Sequence, residues 1–119
     1  MAKPMYEENT PELDGWRKEL APAQYEAFSA FSKAVFTEGA LPEKTKQLIA
    51  VAVAHVTQCP YCIKGHTNQA QRKGASPEEI MEAIWVAAEM RAGAASAHST
   101  LALHTLQHEQ AKVEHKAAD

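Results

Sequence analysis

Alanine is the residue that most limits what this chain can become. It supplies 23 of the 119 residues, against five glycines. Alanine is the best helix former, because it loses no side-chain entropy in a helix and buries no polar group. The chain is therefore expected to be all-helical, and no segment shows a convincing strand pattern. Its length is that of one domain, read as residues 1–119 with N-terminal helices to 40, a motif-bearing core over 41–98 and a C-terminal helix and tail over 99–119. A domain of this size buries roughly two-thirds of its unfolded surface, so it needs no staple.

Prolines and capping residues divide the chain into about six helices. Thr10-Pro11 reads as an N-cap followed by proline at the first helical position, with the helix running to about Leu20. Pro22 restarts a helix that ends near Gly39, and Tyr25, Phe28, Phe31 and Val35 recur at helical spacing, so they are expected to face the core. Pro42 opens the third helix, which is apolar on most faces from Leu48 to Val56 and so is expected to be central. Cys59-Pro60 reads as the N-cap and first residue of the fourth, which ends at Gly74. Ser76-Pro77-Glu78-Glu79 is a capping box opening the fifth, with Ile80, Ile84 and Ala88 expected to be buried. Gly93 is expected to break the run near Arg91, and residues 109–119 are expected to fray.

The net charge of -3 has both signs mixed, with no basic stripe to neutralise phosphates, which argues against a nucleic-acid partner. Leu48 to Val56, the longest apolar stretch, contains His55 and is far too short to span a membrane. No signal-peptide pattern follows the polar, acidic start, so a cytoplasmic protein is expected.

Both cysteines fall in one motif, Cys59-Pro60-Tyr61-Cys62. A loop that short restricts the unfolded chain little, so the pair reads as chemistry. In a reducing compartment such a pair is redox-active or metal-binding. The helix start favours a thiolate, and His66 lies one turn after Cys62 on the same face. In this reading Cys62 attacks, His66 handles the proton and Cys59 resolves the resulting sulfenic acid as a disulfide. The rival is zinc, held by Cys59, Cys62 and His66 with His55 or His98 as the fourth ligand.

Leu41-Pro42-Glu43-Lys44-Thr45-Lys46, Leu48 to Ala54, Cys59 to Thr67 and Gly74 to Ile80 together resemble the carboxymuconolactone decarboxylase superfamily, and within it the AhpD-like alkylhydroperoxidases. The resemblance implies an AhpD-like helical bundle assembled into a homotrimer or homohexamer, with the cysteine pair near a pocket at subunit contacts. It also implies a peroxidase role for Cys62. The expected partners are a hydroperoxide and a dithiol protein or small thiol that reduces the disulfide through Cys59, taken as the more exposed cysteine. No cofactor is called for. Members without the cysteine pair are those associated with decarboxylation, which is the alternative reading. A non-enzymatic thiol–disulfide or metal-binding module is the third.

Two positions depart from the AhpD-like pattern. Gln47 stands where that pattern has a glutamate, and Tyr61 where it has a histidine between the cysteines. An amide does not titrate, so Gln47 cannot pass a proton. Glu43, His55 and His98 are the candidates to replace it or to line the pocket. Phe28, Phe31, Met81 and Trp85 are read as core or subunit interface, and His104, His108 and His115 as surface residues.

Overall fold

The computed structural model describes residues 3–118. Its helices are α1 (Pro11–Leu20), α2 (Pro22–Phe36), α3 (Glu43–Thr57), α4 (Pro60–Arg72) and α5 (Pro77–Ala118), and the described residues contain no strand. Four of the five open on a proline, whose fixed φ suits the first turn and whose missing N–H would have no intrahelical partner there. Thr10 caps α1, its Oγ1 accepting the Leu13 N–H at 3.2 Å. The capping box of α5 closes both ways: Ser76 Oγ accepts the Glu79 N–H at 3.1 Å, and Glu79 Oε1 accepts the Ser76 N–H at 2.9 Å. Gly74 adopts φ 93°, a left-handed conformation that costs glycine nothing, and so ends α4.

Helix α3 is central, packed against α4 and α5 and touched by α2. Val51 and Ala70 are fully buried between them, with Ala75 and Ile80 beside them and Leu48 and Ile84 closing the cluster. The small side chains let the helix backbones approach closely. Lys46 ties α2 to α3: its ammonium donates to the Val35 and Thr37 carbonyls at 2.8 and 2.6 Å, satisfying the end of α2. Arg91 does the same for α3, donating to the Val56 carbonyl at 2.9 Å.

The structure has five helices, one fewer than the punctuation suggests. Gly93 does not break α5, which is one helix of 42 residues. A lone glycine weakens a helix interior by only about 1 kcal/mol. Alanines at 92, 94 and 95 and the Glu89 side chain over Gly93 sustain the helix. Residues 109–118 remain helical, and Asp119 lies outside the described residues. Ala88 is exposed and Ala87 takes its place in the core, so the buried face steps by four and then three from Ile80.

The apolar face of α2 points to solvent. Phe28 is 69% and Phe31 65% exposed, and Val35 is exposed as well. Only Tyr25 of that series is half-buried, its hydroxyl donating to Asp14. Trp85 and Met81 on α5 are likewise exposed, so none of the four residues read as core or interface is core within this chain. Helical spacing identifies an apolar face but not which molecule covers it.

Candidate functional site

The site begins at the turn from α3 into α4. Gln58 ends α3 in the left-handed region, at φ 59° and ψ 43°. That reversal leaves Cys59 extended, as an N-cap must be, with Pro60 starting α4. Cys59 Sγ accepts the Cys62 backbone N–H at 3.3 Å, the bond that a serine or aspartate oxygen makes at an ordinary cap. Cys62 then sits one turn inside the helix, and His66 one turn further along the same face.

The two thiols are not equivalent. Cys59 is held below the ordinary thiol range by hydrogen bonds from Cys62, first from its side chain and then from its backbone N–H. Cys62 is pushed up, chiefly by the hydrogen bond its thiol makes to Cys59 and then by burial. Of the two, Cys59 is therefore the one favoured to ionise first. Exposure runs against expectation: Cys62 is exposed and Cys59 only half-exposed. The reason is the cap itself, which turns the Cys59 sulfur in over the first turn of α4.

His66 is fixed from two sides. Its Nδ1 lies 2.8 Å from Gln47 Oε1, and Gln47 is 6% exposed. An amide oxygen can only accept, so Nδ1 carries the hydrogen and Nε2 keeps a free lone pair. The ring of Phe36 stacks on the imidazole with centroids 5.0 Å apart. Burial pushes the His66 pKa below its usual 6.5, so the ring is neutral at pH 7.

Two cavities meet at this ring. A cavity of about 510 Å³ is walled mainly by apolar side chains, among them Phe36, Ile49, Ala50 and Val53, and Cys62 and His66 also line it. Lys46 lines it too, but its ammonium is engaged by the two α2 carbonyls. A second cavity, of about 490 Å³, is lined by Lys33, Glu43, Gln47, Lys73 and again His66. His66 and Phe36 thus line both an apolar chamber that holds a thiol and a polar one.

The other residues singled out from the sequence are scattered. Glu43 lines the polar cavity but is ion-paired with Lys73 at 2.8 Å. His55 turns back on its own helix, its Nδ1 2.7 Å from the Val51 carbonyl oxygen, and lines neither cavity. His98 is exposed on α5 and also lines neither. Tyr61 points the other way. Its hydroxyl donates to the Glu7 carbonyl at 2.7 Å and its ring meets Tyr6 edge-on, so the segment before α1 rests on the cysteine motif. The four ligands of the zinc reading are not gathered: among the described residues no group of three or more His, Cys, Asp or Glu converges as a metal set.

Phe36 and Lys73 escape a reading of the sequence. Phe36 falls outside the Tyr25–Val35 series, and the nineteen-residue separation of Gln47 and His66 carries no local signal of their bond. Among the described residues no helix is long and apolar enough to cross a membrane.

The profile of the carboxymuconolactone decarboxylase family matches residues 22–105. Over 81 residues, 68% of this chain and 73% of the relative, the chain is 69% identical to uncharacterized protein 4 in the cox locus of Paracoccus denitrificans. It is 39% identical to a crystal structure of a carboxymuconolactone decarboxylase family protein from Legionella pneumophila, with a TM-score of 0.61 over 66% of this chain and 70% of that one. A family member from Thermotoga maritima, for which involvement in an antioxidative response has been suggested, is 35% identical with a TM-score of 0.52, over 55% of this chain and 67% of its own.

Proposed function

The chain belongs to the carboxymuconolactone decarboxylase family, and from that premise we propose that it is a thiol-dependent hydroperoxide reductase of the AhpD-like kind. The observation that carries this reading is the shared cavity: Cys62 and the neutral His66 ring line one apolar chamber, while Cys59 Sγ accepts the Cys62 backbone N–H one turn away. The antioxidative role suggested for the Thermotoga maritima relative agrees with it.

The proposed cycle uses only groups of this site. The proton shared by the pair shifts to Cys59, leaving a Cys62 thiolate. That thiolate attacks the distal oxygen of R–O–OH. The O–O bond breaks, Cys62 becomes a sulfenic acid, and the departing alkoxide takes a proton passed from water through His66. Cys59 then attacks the Cys62 sulfur, and its proton goes to the departing hydroxyl. The S–S bond forms and hydroxide leaves as water. In sum, two thiols and one hydroperoxide give a disulfide, an alcohol and water.

A dithiol protein or small thiol restores the pair, as the cytoplasm would allow. The exposure difference directs its attack to Cys62, and Cys59, with the lower pKa, is the better leaving group. The exposed apolar faces of α2, with Phe28 and Phe31, and of the core-packed part of α5, with Met81 and Trp85, are assigned to contacts between copies in a homotrimer or homohexamer.

Decarboxylation of a carboxylated lactone fits less well. Such a substrate needs cations, and Lys46, the cation on the apolar chamber's wall, already serves two backbone carbonyls.

The test is turnover of an alkyl hydroperoxide with a dithiol supplied. Cys62→Ser is expected to abolish it. Cys59→Ser is expected to stop after one turn, with Cys62 trapped as the dimedone adduct of its sulfenic acid. Absence of turnover in the unaltered protein with several dithiols contradicts the proposal.

A further inference from the structure

Helix α5 continues well past the core. Ala87 is its last buried residue, and every residue from Ala94 to Ala118 is exposed. This segment carries His98, His104, His108 and His115. At 100° per residue, His104 and His108 lie within about 40° of each other and about 6 Å apart along the axis. They form a His-x-x-x-His pair on one face, with His115 two turns further along the same stripe. Neither His104 nor His108 has a hydrogen-bond or ionic partner among the described residues. The nearest cation along that stripe, Lys112, is drawn to Glu109 at 3.5 Å, and Thr105, between His104 and His108 in sequence, bonds its hydroxyl to the Leu101 carbonyl at 2.9 Å. The helical backbone therefore presents two unpartnered imidazoles at the spacing at which both can reach one ion.

We propose that His104 and His108 form a chelating site for a divalent transition-metal ion, with Zn²⁺ as the probe. Imidazole nitrogen suits zinc, and a zinc ion takes about four ligands. Water fills the remaining positions, or the same pair from a second copy does so. The site stands about 26 Å along the helix from Ala87, so it is separate from the cysteine motif and independent of the peroxidase reading.

Titration calorimetry of Zn²⁺ into the full-length Cys59→Ser/Cys62→Ser protein tests this without interference from thiolates. The expected result is saturable binding of one ion per chain, or one per two chains where two copies share it. His104→Gln or His108→Gln is expected to weaken binding by about tenfold or more. His98→Gln, off the stripe, is expected to leave it unchanged. Amide exchange over residues 104–112 is expected to slow on adding zinc, and not to do so in His108→Gln. No saturable binding up to about millimolar zinc, binding that survives both substitutions, or binding equally sensitive to His98→Gln each overturns the proposal.

Discussion

Gln47 holds the His66 ring in place without adding a charge beside it. A glutamate at its position would place a negative charge 2.8 Å from His66 and favour the imidazolium. The amide holds the ring without charging it. Gln47→Glu is therefore expected to raise the His66 pKa by about one unit or more, moving the acid limb of the kcat/KM profile to higher pH. An unmoved limb would mean that His66 does not set it.

The same burial appears in stability. The His66 pKa is lowered on folding, so just below pH 6.5 the unfolded chain binds more protons than the folded one. Stability from this residue is intact at pH 7 and is lost as pH falls from about 6.5 through the lower folded value. Thermal melts between pH 7.5 and 5 (chosen conditions bracketing roughly one unit either side of an ordinary histidine) are expected to show a steeper fall for the unaltered protein than for His66→Asn. The sequence singles out Cys59, Cys62 and His66 as the candidates for chemistry, because cysteine, histidine and proline at helix-start spacing have few other uses. It does not reveal that Gln47 and His66 touch, since they come from different helices and meet only when α3 packs on α4.

At the scale of the element, caps are the most legible feature of this chain. Thr10, Cys59 and the Ser76–Glu79 box all act through side-chain bonds to N–H groups within three residues, so local sequence suffices. Glycine is less legible, because its effect depends on the φ it adopts. Gly74 is left-handed and Gly65 is helical, and neither has an atom within 4 Å of an added Cβ. The same substitution should thus act with opposite signs. Gly74→Ala is expected to destabilise by about 1–2 kcal/mol, the left-handed penalty. Gly65→Ala is expected to stabilise by about 0.5–1 kcal/mol, the helix-propensity difference. Chemical denaturation of the two variants measures both. Gly93 belongs with Gly65, which is why reading it as a break fails.

The whole molecule is too open for its length. A compact chain of 119 residues has a radius of gyration of about 13–14 Å, whereas this one has 22.4 Å and spans 73 × 38 × 35 Å. Its surface is 9678 Å², against about 6,300 Å² for a compact monomer of its mass. The excess lies on α5 beyond the core and on the apolar faces of α2 and α5, where Phe28, Phe31, Trp85 and Met90 are all more than half exposed. Sequence periodicity marks these faces as apolar but carries no signal of what covers them. Sedimentation equilibrium is expected to give a multiple of the 13.0 kDa chain mass. Phe31→Glu or Trp85→Glu is expected to lower that multiple. A monomer at micromolar concentration would leave these faces without the partner assigned to them.

The central claim is that one hydroperoxide oxidises the cysteine pair within one chain. A thiol titration of pre-reduced protein mixed anaerobically with substoichiometric alkyl hydroperoxide measures it directly. The account predicts two thiols lost per peroxide consumed, one intramolecular Cys59–Cys62 disulfide by mass, and a markedly slower loss in His66→Ala. A thiol count that stays at two per chain while peroxide remains, or a disulfide found only between chains, contradicts it.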